Sequence, residues 1–110
     1  MTVRELASRA GLTIFTMPEP DLEVTGGYAG DLLSWVMGRA EPGSAWLTIM
    51  SNHNVAAVAL MGDVSCVVLT EDVRPDPLLL ERCTQQHIDL LGARESTFDM
   101  AVRLHELLSA

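Results

Sequence analysis

The chain reads as an α/β domain of three layers, α/β/α, around a parallel or mostly parallel sheet of about four to five strands. Three observations predict this. Short β-rich runs alternate with helical segments along the sequence. The connections between them are brief, as in strand–helix–strand units. The run from Val64 to Leu69 is almost continuously apolar, as a central strand covered on both faces must be. A length of 110 residues is the size of one domain, 1–110, able to bury about two-thirds of its unfolded surface without staples.

Each element has its own signal. Thr2-Val3-Arg4-Glu5 fits a capping box: the threonine hydroxyl caps the helix start and the glutamate reaches back to the threonine N–H. Gly11 supplies a left-handed stop, so the first helix covers about 3–10. Leu12 to Met17 alternates and is rich in β-formers, which predicts a strand. Pro18 and Pro20 end it. Leu22-Glu23-Val24 is a short extended piece, and Thr25-Gly26-Gly27 is a turn. From Tyr28 to Arg39 the pattern is helical, with Ala29, Leu32, Leu33, Val36 and Ala40 on one face. Ala45 to Met50 is a buried strand, and Val55 to Met61 a short apolar helix stopped by Gly62. Asp76-Pro77 is an N-cap followed by a proline at the first helical position, opening a helix to about Gln86. Ile88 to Leu91 is a last short strand. Ser96 caps a final helix whose Phe98, Ala101, Leu104 and Leu108 line one side.

Bulk chemistry removes several function classes. The net charge is -8 and the pI about 4.6, so nucleic-acid backbones and anionic membrane surfaces are repelled. No apolar run approaches the ~20 residues that cross a bilayer. The chain opens on a helix signal rather than a signal peptide, and the expected location is the bacterial cytoplasm. There is no lysine among the seven basic side chains, which excludes Schiff-base, P-loop and kinase-type lysine chemistry. Cys66 and Cys83 sit in apolar surroundings and read as reduced, small hydrophobes. CxxC, HExxH and His/Asp clusters are missing from the sequence, so neither a metal nor another cofactor is expected. Ser34, Ser44, Ser65 and Ser96 lack nucleophile-elbow surroundings.

Three places remain for function. Thr25, Gly26 and Gly27 let a backbone approach a ligand, and the helix expected after them would offer free N–H groups to an anion. The same three residues also serve a tight turn that needs positive φ. Ser51, Asn52, His53 and Asn54 follow a strand at its expected carboxyl end, where ligands of open α/β sheets gather. His53 there could carry a proton or contact an anion, or simply cap the next helix. The helix 55–61 is apolar all round, and Trp35 lies beside a polar face. Trp35, Val55, Val58 and Ala59 are therefore the candidate interface of a homodimer, unless the C-terminal helix or the 18–24 loop covers that helix.

Thr25-Gly26-Gly27, continued by Tyr28 to Met37, resembles the DRTGG domain family. The segment Ala45 to Val55, the Asp76-Pro77 helix and the closing strand and helix agree with it in order and spacing. The sequence thus resembles a stand-alone DRTGG domain, similar to the N-terminal domain of HPr kinase/phosphorylase and to the DRTGG domain of CBS-containing pyrophosphatases. Glu23-Val24 stands where the family signature has Asp-Arg. The resemblance implies a regulatory or dimerising module rather than a catalytic one.

Three functional readings follow. The first is a non-catalytic regulatory or assembly module, homodimeric, docking on a partner enzyme. The second is a sensor holding a phosphate- or nucleotide-containing molecule near the TGG turn, with Thr25–Gly27 and Ser51–Asn54 converging at one end of the sheet. The third is a small enzyme pairing His53 with Asp31 or Asp63.

Overall fold

The computed structural model describes all residues from Met1 to Ala110. Its elements, in order, are α1 (Val3–Arg9), β1 (Thr13–Thr16), β2 (Gly26–Ala29), α2 (Leu33–Arg39), β3 (Ser44–Thr48), α3 (Asn54–Met61), β4 (Cys66–Leu69), α4 (Pro77–Gln85), β5 (Leu90–Gly92) and α5 (Thr97–Ser109). The five strands form one sheet in the order β1-β5-β4-β3-β2. β2, β3, β4 and β5 are parallel, and β1 joins the β5 edge antiparallel. The expected α/β class and mostly parallel sheet are therefore what the chain adopts.

The core follows from strand alternation. Successive strand residues face opposite sides, so Ala45, Leu47, Cys66, Val68 and Leu91 pack under α1 and α5. Their neighbours Trp46, Val67, Leu69 and Leu90 pack under α2, α3 and α4. This two-sided burial is why β3 and β4 are apolar at nearly every position. Trp46 is wholly buried, and its ring N–H donates to the Gly30 carbonyl at 2.9 Å.

Local signals at the helix ends mostly hold. Thr2 and Glu5 form the reciprocal capping box, Ser96 accepts from the Asp99 N–H, and Pro77 occupies the first turn of α4. Gly11 takes the left-handed conformation at φ 62°. After α3, however, it is Asp63 and not Gly62 that turns left-handed, at φ 53°.

The largest correction concerns the segment after Val24. Thr25-Gly26-Gly27 does not open a helix. Gly26 to Ala29 is strand β2, paired in parallel register with Ser44 to Leu47, and the helix begins only at Leu33. The helical spacing of Ala29 with Leu32 and Val36 is overridden by ladder hydrogen bonds to β3, which a glycine-rich segment of weak local preference readily accepts. The short extended piece 22–24 contributes one isolated bridge, Thr2 with Glu23, and no strand.

Candidate functional site

The parallel strands give the domain two distinct ends. Thr25 and Gly26 lie at the amino-terminal end, level with Gly43 and Ser44. Ser51 to Asn54 lie beyond the carboxyl end of β3. The length of β3, Ser44 to Thr48, separates the two levels, roughly 13 Å at a strand's rise per residue. The two candidate groups do not converge, and the sensor geometry expected from sequence is corrected on that point.

At the amino-terminal end the TGG residues are engaged in packing. The Thr25 N–H donates to the Gly43 carbonyl at 2.9 Å, and its hydroxyl donates to the same oxygen at 3.4 Å. Gly43 is left-handed at φ 86°, and a Cβ there would stand 2.6 Å from the Thr25 hydroxyl oxygen. Gly27 admits helix α5: a Cβ on it would stand 2.6 Å from Cδ2 of Leu104. Gly26 carries no such constraint, its nearest neighbour being 3.9 Å away. Thr25 also borders a hollow of about 510 Å³ that Glu5 and Glu23 line. Hydrogen bonds from Thr2 hold the Glu5 carboxyl below its usual range, and Arg9 beside it is already paired with Glu5 at 3.3 Å. The Met1 ammonium is likewise paired with Glu23 at 2.9 Å, so an anion would have to displace a carboxylate here.

The same end buries one carboxyl. Asp89, fully buried, accepts from the Glu19 N–H at 2.8 Å through Oδ1, while Oδ2 has no partner. Burial raises its pKa, the Glu19 N–H opposes that shift, and the Glu19 charge adds to it.

At the carboxyl end, Asp31 closes the top of β3. One of its oxygens accepts from the Thr48 hydroxyl at 2.8 Å and from the Ile49 N–H at 2.9 Å. Asp63 sits below α3 at the opposite end, where its carbonyl accepts from the Gly43 N–H. His53 occupies the N-cap of α3 without a side-chain capping bond, while Asn52 accepts from the Asn54 N–H at 2.9 Å. The pairing of His53 with Asp31 or Asp63 is not assembled. The cysteines lie on opposite sides of the sheet. Burial drives the Cys66 thiol far above its normal value and the Cys83 thiol up to about 12. No three His, Cys, Asp or Glu side chains gather as a metal would require.

Three of the four candidate interface residues also need correction. Val55, Val58 and Ala59 are 0%, 5% and 1% exposed; they pack on β3 and β4 with Val36, Leu69 and Leu79 around them. Neighbouring helices α2 and α4 cover that helix, rather than a partner subunit, the C-terminal helix or the 18–24 loop. The apolar surface left outside belongs instead to Trp35, Met37, Leu60 and Met61. Arg39 stacks on the Trp35 ring, 3.9 Å from its centre.

One feature of the carboxyl end escaped the sequence reading. After β4 the chain crosses to the α4 side of the sheet, and after β5 to the α5 side. Adjacent parallel strands whose connections leave to opposite faces open a crevice between them. A hollow of about 70 Å³ lies there, over the end of β5, lined by Asp72 and Arg74 after β4, by Gly92 and Arg94, and by Thr13 and Phe15 of β1. Phe15 is the residue bulged out of the β1–β5 ladder, and its ring lies where a Cβ on Gly92 would be, 2.6 Å from it. Sequence offered only a faint pointer, an arginine a few residues past each of two neighbouring strands.

No family model matches the sequence, and a search of the curated proteins returns no match. Among solved structures the fold is similar to that of the CBS and DRTGG domains of the regulatory region of Clostridium perfringens pyrophosphatase, determined with its activator diadenosine tetraphosphate. The superposition has a TM-score of 0.72 at 10% identity, covering 92% of this chain and 44% of that one. The fold is DRTGG-like. The chain spans less than half the length of the structure it matches. No helix is long and apolar enough to cross a membrane.

Proposed function

We propose that this domain is a non-catalytic regulatory module, homodimeric and docking on a partner enzyme. The observation that carries the reading is the uncovered apolar surface of α2 and α3. Trp35 is 54% exposed, Leu60 53% and Met61 69%, on two helices that pack against each other. A large aromatic with a stacked arginine is the kind of residue that anchors an interface. The likeness in fold to a pyrophosphatase regulatory region supports a regulatory role over a catalytic one. Light scattering at micromolar concentration tests the dimer. The expected mass is twice the 12.0 kDa of the chain, reduced toward the monomer by Trp35→Glu. A monomer at that concentration contradicts the reading.

A second reading is a sensor of a small phosphate-bearing ligand, the neighbour's activator being a nucleotide. The position near TGG is the weaker part of that reading, because the Thr25 N–H is already bonded to Gly43 and carboxylates flank the threonine.

A further inference from the structure

We propose that the crevice between the carboxyl ends of β4 and β5 binds a phosphate group through Arg74 and Arg94. The proposal rests on the sensing reading and gives it a place.

The first support is electrostatic. In a chain of net charge -8, Arg4, Arg9 and Arg103 pair with Asp21, Glu5 and Glu95. Of the four arginines without an ion pair, Arg39 stacks on Trp35 and Arg82 lies on α4, while Arg74 and Arg94 line the same crevice. Each presents a planar fork of N–H donors that matches phosphate oxygens in pairs. Asp72 is the one carboxylate in the lining. It leaves one net positive charge and favours a ligand whose phosphate sits on the arginine side.

The second support is structural. The loop after β4 and the end of β5 form two of its walls, at the carboxyl end of the sheet where ligands of open α/β folds gather, and Thr13 and Phe15 of the antiparallel β1 form the third. Its walls are held firmly. The Asp72 N–H donates to the Ala93 carbonyl at 3.0 Å and the Glu71 N–H to the Glu95 carbonyl at 2.8 Å. The Thr97 N–H donates to the Glu71 carboxylate at 2.8 Å. Glu71 and Asp72 are consecutive left-handed residues, at φ 60° and 59°, a costly backbone that these bonds sustain. The bends carry the chain past the crevice toward Arg74.

Size sets the ligand class. About 70 Å³ is far below the roughly 300–1,000 Å³ that encloses a whole small molecule. The crevice takes an anionic head group and leaves the rest of the ligand in solvent. Inorganic phosphate and the terminal phosphate of a nucleotide share that chemistry.

Calorimetric titration of the full chain with inorganic phosphate, ATP and adenosine, at low ionic strength, tests this. Phosphate and ATP bind and adenosine does not. Arg74→Ala and Arg94→Ala each weaken phosphate binding about tenfold or more, the scale of one charge-assisted hydrogen-bond pair. Arg94→Lys recovers only part of the loss, since the charge returns without the fork. Arg82→Ala, an exposed arginine on α4, binds like the wild type. Unliganded melting temperatures of all variants show that each is folded. If the wild type binds none of the probes, both the crevice proposal and the sensing reading fall. If it binds phosphate and the two alanine variants bind equally well, the crevice proposal falls while sensing stands. Adenosine binding as tightly as ATP also overturns the phosphate assignment.

Discussion

The two ends of the sheet are built on the same four parallel strands yet do opposite things with their loops. At the amino-terminal end, Thr25, Gly27, Gly43 and Asp89 spend their chemistry inward, on one another and on the core. At the carboxyl end, Arg74, Arg94 and His53 have no assigned internal partner. The contrast teaches that the most conspicuous motif of the sequence is a packing device. The proposed phosphate site lies at the other end, on residues that no local pattern marks.

The largest effect should come from Gly43. Alanine there adds a side chain at φ 86° and drives its Cβ against the Thr25 hydroxyl. The expected cost is about 2–3 kcal/mol, or roughly 10 °C or more in melting temperature for a domain of this size. A melting curve unchanged by Gly43→Ala would break the assignment of TGG to packing.

The adjacent glycines sharpen the same point. Gly27→Val must displace the buried Leu104 and should cost about 1–3 kcal/mol. Gly26→Ala meets nothing closer than 3.9 Å and should stay within ~0.5 kcal/mol of wild type. Urea denaturation of the two variants separates them. Equal losses would mean that the motif acts through backbone freedom rather than through the approach of α5.

Asp89 tests how tightly the amino-terminal end is closed. Its folded pKa is raised, so the folded state holds this proton more strongly than the unfolded chain does. The stabilising contribution is complete below the ordinary aspartate value of about 3.9 and is lost as pH rises through the raised one. Asp89→Asn keeps an oxygen to accept from Glu19 and removes that slope. Denaturation measured from pH 4 to pH 8 should show a flatter profile and higher stability at neutral pH for the variant. An unchanged slope would mean that the carboxyl is not confined.

The smallest effect on stability belongs to the carboxyl end. Arg74→Ala and Arg94→Ala remove exposed, unpaired side chains and should leave unfolding free energy within ~0.5 kcal/mol. A large loss from either would make that arginine structural and erase the contrast between the ends.

Much of this architecture was legible in sequence because its signals are local or periodic. The capping box at Thr2, the left-handed Gly11, Pro77 in the first turn and the apolar runs of β3 and β4 each carry their own physical cause. Strand β2 was not legible. Gly-Gly-Tyr-Ala has little strand preference, and its pairing with Ser44–Leu47 is a tertiary decision. Helical spacing from Tyr28 onward places TGG at a helix start, where an anion-binding turn is expected, whereas the chain begins α2 only at Leu33. The apolar run 55–61 marks a helix by itself, but what covers it depends on strand order, which sets α3 between α2 and α4. Arg74 and Arg94 stand twenty residues apart, and only the adjacency of β4 and β5 brings them to one crevice.

Backbone amide shifts during titration with inorganic phosphate decide between the two ends most directly. The account predicts that the resonances which move belong to residues 70–76 and 92–96, while those of Thr25 to Gly27 and of Gly43 stay in place. Movement centred on Thr25, Gly26 and Gly27, with the crevice silent, would contradict it.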